Sequence, residues 1–144
     1  GQFEFRGGHL MLVDTSVWVD FFNGHESAHA NRLAQGIANG EPISVPGLVL
    51  TEVLLGLDSD TQATHIAGLM EAFRPVAELQ QQDFQQAAGI YRLCRSKGIT
   101  VRSTIDCLMA QMCLRDGLVL LTKDRDFTGI AKCTNLQLVA VAQQ

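Results

Sequence analysis

Four acidic residues lie at positions where a carboxylate does little to stabilise the fold but could take part in catalysis or bind a metal ion. Asp14 follows an apolar run at 10–13 that predicts a strand buried on both faces, and Asp124 follows a second such run at 118–122. Glu52 lies inside the apolar segment 48–57, and Asp106 lies in the first turn of a predicted helix. Carboxyl ends of parallel strands meet at one sheet edge, so we expect Asp14 and Asp124 there, joined by Glu52 and Asp106.

A cluster of four carboxylates predicts a divalent cation. Without one, the carboxylates repel each other, which raises their pKa values and destabilises the fold. An all-oxygen ligand set selects Mg²⁺ or Mn²⁺ over Zn²⁺. Because Mg²⁺ also accepts phosphate oxygens as ligands, hydrolysis of phosphodiesters is the chemistry that suits such a site.

Each acid also has a structural interpretation. Asp14 could cap the helix that follows it, and Glu52 could face solvent, although its apolar neighbours leave little polar face. Ser103 and Asp106 match a capping box, and Asp124 could belong to an ordinary charged turn. These alternatives stay open for each residue alone, whereas the four acids together favour a shared site.

The composition indicates one folded domain. At 144 residues, with 47% hydrophobic and 18% charged residues, the chain can bury a core without cross-links. No apolar stretch approaches the roughly 20 residues of a membrane span, and no signal-peptide pattern occurs. The four cysteines form no CxxC pair, so we interpret them as reduced thiols of a cytoplasmic protein. Residues 1–10 are interpreted as a non-native leader and residues 11–144 as a single domain.

The net charge limits how this chain could bind nucleic acid. A formal charge of −4 argues against binding through bulk electrostatics but leaves room for a local basic patch. A solvated helix face explains the one basic patch of the sequence equally well. Its members are Arg92, Arg95, Lys97 and Arg102.

Strands alternate with helices along the chain, which predicts parallel strands joined by crossover helices. Short apolar runs predict strands over 10–13, 43–45, 75–79, 118–122 and 136–140. Helical spacing predicts helices over 17–22, 27–39, 48–57, 61–73, 83–97 and 105–115, the third of them buried. We therefore predict an α/β fold, a three-layer α/β/α domain with a mainly parallel sheet.

Four segments, in this order and spacing, resemble the PIN-domain ribonucleases, specifically the VapC toxins of type II toxin–antitoxin systems. They are DTSVWVDFF at 14–22, TEVLLG at 51–56, DCLMA at 106–110 and LTKDRDF at 121–127. The resemblance covers the chain from Met11 onward. It implies a PIN-like sheet of four or five strands, a homodimer, and an acidic pocket that holds Mg²⁺ or Mn²⁺ and cleaves single-stranded or looped RNA.

The resemblance also implies roles for individual residues. Asp14, Glu52 and Asp106 match the three core acids, and the fourth maps to Asp124. Because the spacing of the last motif varies in the family, the resemblance leaves open whether Asp126 is a helper or takes the place of Asp124 as the fourth acid. Ser16 and Thr122 match hydroxyl residues that orient acids or waters. The implied partner is a VapB-type antitoxin that wraps the toxin and blocks its pocket, often with a basic side chain.

These observations combine into one mechanistic hypothesis. The metal is held mainly by Asp14 and Asp106, while Glu52 and Asp124 bind it directly or through water, or position a second ion. In-line attack by water leaves a 5′-phosphate and a 3′-hydroxyl, without the 2′-hydroxyl as nucleophile. The four residues of the basic patch are the candidates for holding RNA phosphates. The predicted function is a Mg²⁺-dependent endoribonuclease, the toxin of a VapBC-type system.

Two other functions remain compatible with the sequence. The chain could be a receiver-like phosphotransfer domain with Asp14 as acceptor and Thr122 and Lys123 as its switch. Receiver domains carry an acid pair on the first strand, however, and Ser16 stands where haloacid-type phosphatases need a second acid. The other alternative is a degenerate PIN domain that only binds a partner, against which the presence of all four acids speaks.

Overall fold

Parallel strands form a single sheet at the centre of the molecule. The computed structural model describes residues 2–3 and 9–141. Its five strands pair in the order β1-β5-β4-β2-β3, and every pairing is parallel. The strands are β1 (Gln2–Phe3), β2 (Met11–Val13), β3 (Ile43–Ser44), β4 (Val119–Leu121) and β5 (Leu138–Val139). The predicted parallel sheet is therefore confirmed.

Helices connect the strands. They are α1 (Thr15–Phe22), α2 (Ala28–Ala38), α3 (Gly47–Leu55), α4 (Asp60–Met70), α5 (Gln81–Ser96), α6 (Thr104–Asp116) and α7 (Arg125–Cys133). Helix α5 packs most extensively on α6, and α1 packs on α2 and α3. The predicted α/β class is confirmed, and no helix in the described part of the chain is long and apolar enough to span a membrane.

The two central strands set the position of the site. All residues of β2 and β4 are buried, and the strands pair in register with Leu12 opposite Leu120. At the carboxyl end of this pair, the backbone N–H of Asp14 donates to the carbonyl of Leu121 at 2.9 Å. The first residue beyond β2 is thus fixed against the last residue of β4, as expected for two buried parallel neighbours.

The predicted strand over 75–79 is wrong, because these residues form no strand. The only pairing nearby is a single bridge from Ser44 to Arg74, with Val45 N–H donating to the Arg74 carbonyl at 2.8 Å. Pro75 follows directly and has no N–H to donate, which explains why pairing stops there.

Helix α7 was not anticipated by the pattern of the sequence, although its signals are present. Asp124 caps it by accepting a hydrogen bond from the Asp126 N–H at 2.9 Å, and Phe127 and Ile130 are buried at helical spacing. Gly129 obscures the pattern, because glycine disfavours helices. It is needed here, since a Cβ at this position would come within 2.8 Å of the Ile99 Cγ2 atom.

Helix α3 is less buried than its composition predicts. Val49 and Val53 are its only buried residues, whereas the side chain of Leu55 is 79% exposed. The helix packs on α1 and α4. An apolar helix exposed in this way leaves a surface available for a partner.

Of the aromatic residues after Asp14, Trp18 lies in the core, and Phe21 and Phe22 are partly buried against it. Trp18 is fully buried, stacks on Phe22 and meets Phe73 edge to face. Its indole Nε1 is the one fully buried side-chain N or O atom of the described residues without a hydrogen-bond partner. All four cysteines are free thiols, and Cys94, Cys107 and Cys113 are buried.

Candidate active site

One pocket of about 450 Å³ collects the predicted acids. It opens at the carboxyl ends of β2 and β4, where α1, α6 and α7 begin and α3 passes. The lining residues are Asp14, Thr15, Ser16, Glu52, Arg102, Ser103, Asp106, Asp124 and Asp126. The four candidate catalytic acids therefore share one pocket, together with Asp126 and one member of the basic patch.

Asp14 is held rigidly by three hydrogen bonds from neutral donors. Its Oδ1 accepts from the Thr15 N–H at 2.8 Å, while Oδ2 accepts from the hydroxyls of Ser16 at 3.1 Å and Thr122 at 2.8 Å. The Thr15 bond also makes Asp14 the N-cap of α1, so the same carboxylate caps a helix and lines the pocket. Burial and the nearby Asp124 charge raise the pKa of Asp14, and the three donors only partly oppose this rise.

Glu52 is anchored by a residue that the sequence analysis did not single out. The Thr15 hydroxyl donates to Glu52 Oε1 at 2.8 Å across 37 residues of chain. Thr15 thus orients two acids at once, Asp14 through its backbone and Glu52 through its side chain. The only signal in the sequence was its position directly after Asp14.

Asp106 is the most perturbed acid of the pocket. It is only 8% exposed, and its carboxylate receives no hydrogen bond from any residue that the structure describes. Burial, followed by the charges of Asp124, Asp14 and the other acids, raises its pKa to about 7. The capping box suggested by Ser103 and Asp106 does not form, since no side chain caps α6.

The carboxylates of Asp106, Asp124 and Asp126 offer oxygen atoms that lie within 4.8 Å of one another, close enough for one metal ion. Asp124 Oδ1 accepts from the Asp126 N–H, and the Asp124 N–H donates to the Thr122 hydroxyl at 3.0 Å. The same hydroxyl donates to Asp14. Thr122 therefore joins the acids that follow β4 to the acid that follows β2.

The basic patch divides between two surfaces. Arg102 lies at the rim of the acidic pocket and bonds to Asp126. Arg92 and Arg95 line a separate apolar groove between α5 and α6, where the Arg95 guanidinium lies 5.6 Å from the centre of the Tyr91 ring. Lys97 forms the C-cap of α5 and lines neither cavity.

An ion pair outside the pocket holds the segment that carries Asp124 against α1. The Lys123 ammonium donates to Asp20 Oδ2 at 2.5 Å, and Ser27 donates to the same oxygen at 3.1 Å. Burial alone would raise the pKa of Asp20, but the contacts with Lys123 and Ser27 outweigh it and lower that pKa. The segment between β4 and α7, which carries Asp124, is thereby fastened to α1.

The PIN domain family model matches residues 11–132. The chain belongs to the PIN-domain family. Among curated proteins of this family it is similar to ribonuclease VapC11 of Mycobacterium tuberculosis H37Rv and to VapC ribonuclease Mb1587 of Mycobacterium bovis. It shares 38% identity with each over 135 residues, which cover 89% of this chain and 96% of the relative. The resemblance to the VapC group of PIN-domain ribonucleases is confirmed.

Solved PIN-domain structures share the fold. VapBC-1 of nontypeable Haemophilus influenzae matches with a TM-score of 0.67 at 18% identity, covering 90% of this chain and 96% of that chain. VapBC2 of Rickettsia felis, bound to a DNA fragment from its promoter, matches with a TM-score of 0.65 at 16% identity, covering 91% and 97%. At such identities the likeness concerns the fold alone, while the family match favours a nuclease over the phosphotransfer alternative.

Proposed function

We propose that this PIN-domain protein is a divalent-metal-dependent endoribonuclease, the toxin of a VapBC-type pair, and that it hydrolyses RNA at the acidic pocket. The observation that carries the proposal is the state of Asp106. A carboxylate that is buried among other acids, without a hydrogen-bond donor and with a pKa raised to about 7, is poised for a cation.

The donor set fits Mg²⁺ or Mn²⁺. All titratable side chains of the pocket besides Arg102 are carboxylates, and no histidine or cysteine lines it. Asp14 and Asp106 would hold the ion, with Glu52 and Asp124 binding it directly or through water. When bound, the ion supplies neutralisation of the carboxylates and polarisation of water and of the scissile phosphate.

The residues of this chain do the positioning. Thr15, Ser16 and Thr122 hold the Asp14 carboxylate in one orientation, so that it need not reorganise during the reaction. Glu52 is anchored through Oε1, which leaves Oε2 as an acceptor for a proton of the attacking water. In-line attack of this water leaves a 5′-phosphate and a 3′-hydroxyl.

RNA binding is assigned to the basic patch. Arg102 is the member nearest the reacting groups, and its side chain is 75% exposed at the rim of the pocket. Arg92 and Arg95 extend the positive charge along α5, and Lys97 ends that helix. Contacts of this kind hold phosphates without reading the base sequence.

Two protein partners complete the proposal. A second copy of this chain would cover exposed apolar side chains such as Leu55 on α3 and Phe84 on α5, which are 79% and 49% exposed. A VapB-type antitoxin is the other partner, because matching solved structures include toxin–antitoxin complexes. A basic side chain of the antitoxin would complement the acidic pocket.

An RNA cleavage assay tests the proposal. Wild type, Asp14→Asn and Asp58→Asn are compared on a mixed RNA substrate with Mg²⁺, with Mn²⁺ and with EDTA. Asp58 is an exposed acid outside the pocket, so its variant controls for the loss of one charge. We expect metal-dependent cleavage by wild type and Asp58→Asn, and a loss of at least about 100-fold for Asp14→Asn.

The ends of the products distinguish the mechanisms. We expect 5′-phosphates and 3′-hydroxyls. Products with a 2′,3′-cyclic phosphate, cleavage in EDTA, or an Asp14→Asn variant as active as wild type would each contradict the mechanism. A wild-type protein that binds RNA or antitoxin but never cleaves would instead support the degenerate, partner-binding alternative.

A further inference from the structure

We propose that Arg102 is a positioning residue that fixes Asp126 as an anchor, so that Asp126 orients Asp124 and does not bind the metal itself. The proposal rests on the proposed function and deepens it. Of the five carboxylates in the pocket, four would bind the cation directly or through water, and the fifth, Asp126, would hold Asp124 in its orientation.

Asp126 is held from both the backbone and the side chain of Arg102. The Arg102 N–H donates to Asp126 Oδ2 at 3.0 Å, and its guanidinium Nε lies 3.3 Å from Oδ1 and 3.4 Å from Oδ2. The Asp126 side chain is only 11% exposed, although that of Arg102 is 75% exposed. Asp126 therefore ties the segment before α6 to the first turn of α7.

Charge separates Asp126 from the other acids of the pocket. Within the described residues, the bonds to Asp14, Glu52 and Asp124 come from backbone N–H groups and hydroxyls, and Asp106 receives none. Asp126 alone among the pocket acids is paired with a cation. Asp126 does have an oxygen within 4.8 Å of those of Asp106 and Asp124. Its negative charge is balanced in part by Arg102, however, whereas the other four acids have no cationic partner among the described residues and attract a divalent ion more strongly.

The anchor is connected to the rest of the site through one series of hydrogen bonds. Arg102 donates to the Asp126 carboxylate, and the Asp126 N–H donates to Asp124. The Asp124 N–H donates to the Thr122 hydroxyl, which donates to Asp14. Moving Asp126 would therefore reorient Asp124 directly and disturb Asp14 two steps further along.

Binding of Mn²⁺ to the RNA-free protein, followed by electron paramagnetic resonance, tests the inference. Asp126→Asn removes the charge but keeps an oxygen that can accept the Arg102 N–H, whereas Asp126→Ala removes the acceptor. We expect Asp126→Asn to bind Mn²⁺ within about threefold of wild type and Asp126→Ala about tenfold more weakly, as is usual when an outer-shell partner is lost. Asp106→Asn serves as the ligand variant, with a loss of at least about 100-fold.

Arg102 is tested by a matched pair of glutamine variants. Arg102→Gln keeps the backbone N–H and loses the guanidinium, so we expect Mn²⁺ affinity to fall by about three- to tenfold, at the low end for an outer-shell change. Arg74→Gln removes an exposed arginine outside the pocket and should leave the affinity unchanged. In an Asp126→Ala background, Arg102→Gln should weaken Mn²⁺ binding little further, because Arg102 acts on the site only through Asp126.

The results that overturn the inference are distinct from those that overturn the proposed function. If Asp126→Asn weakens Mn²⁺ binding as much as Asp106→Asn does, Asp126 is a ligand and the inference is wrong. Equal losses for Arg102→Gln and Arg74→Gln would also refute it. If the wild-type protein binds no Mn²⁺ at all, the proposed function fails first.

Discussion

The acidic pocket destabilises the metal-free protein, and replacing Asp106 by asparagine should reveal by how much. The pKa of Asp106 is about 7 in the folded state, against an ordinary value of 3.8. Ionising this carboxyl group therefore lowers the free energy of unfolding by up to about 4 kcal/mol. Asp106 lines an open pocket that water enters, which reduces this penalty. We therefore expect metal-free Asp106→Asn to be more stable than wild type by about 1–3 kcal/mol at pH 8.

The sign of the pH dependence follows from the direction of the pKa change. Because the folded state raises the pKa of Asp106, the penalty is absent below about pH 4, grows through the pH range between 3.8 and about 7, and is complete above it. Wild type should therefore lose stability relative to Asp106→Asn as the pH rises from about 4 to 8. The raised pKa of Asp14 acts in the same direction in both proteins.

Urea denaturation in EDTA at pH 4.5, 6 and 8 measures the effect, with Asp58→Asn as the control for a carboxylate outside the pocket. Adding Mg²⁺ or Mn²⁺ at pH 8 should stabilise wild type strongly and Asp106→Asn weakly, because the variant lacks one ligand. If Asp106→Asn is less stable than wild type at pH 8, or if their difference does not change with pH, the electrostatic reasoning is refuted.

Three further predictions concern separate parts of the molecule. Thr15→Val should slow cleavage about tenfold with folding intact, because Glu52 loses its hydroxyl donor, whereas Thr15→Ser should retain activity. Phe84→Glu should convert the proposed dimer into a monomer in light scattering, and an unchanged dimer mass would exclude this surface from the interface. Gly129→Ala should lower the free energy of unfolding by about 1–3 kcal/mol through the contact with Ile99, and neutral behaviour would show that the loop carrying Ile99 can move away from α7.

The parts of the fold that the sequence predicts are those governed by burial. The runs that became β2 and β4 are continuously apolar, and two strands buried on both faces must lie in the middle of a parallel sheet. The convergence of Asp14 and Asp124 follows from that placement. The strand predicted over 75–79 failed for a local reason, because Pro75 cannot donate to a neighbouring strand.

The orientation of the site could not be predicted, because it depends on contacts between distant residues. Thr15 and Glu52 are 37 positions apart, and Thr122 and Asp14 are 108 positions apart. The periodicity of apolar residues in the sequence does not indicate which hydroxyl donates to which carboxylate after the helices and strands have packed. The same limit applies to Arg102, whose place in the basic patch indicated RNA binding but not its bonds to Asp126.

The pocket shows how a fold can tolerate carboxylates whose mutual repulsion destabilises it. Asp14 and Asp124 follow the two central strands and cap helices, so the backbone at these two acids is fixed by the most buried part of the sheet. Neutral donors hold Asp14 and Glu52 without compensating their charge, and only Asp126 is paired with a cation. Had arginine or lysine partners neutralised every acid, the protein would gain stability and lose the negative charge that would attract a divalent ion. The uncompensated charge of Asp106 is therefore better explained as a requirement of cation binding than as a defect of folding.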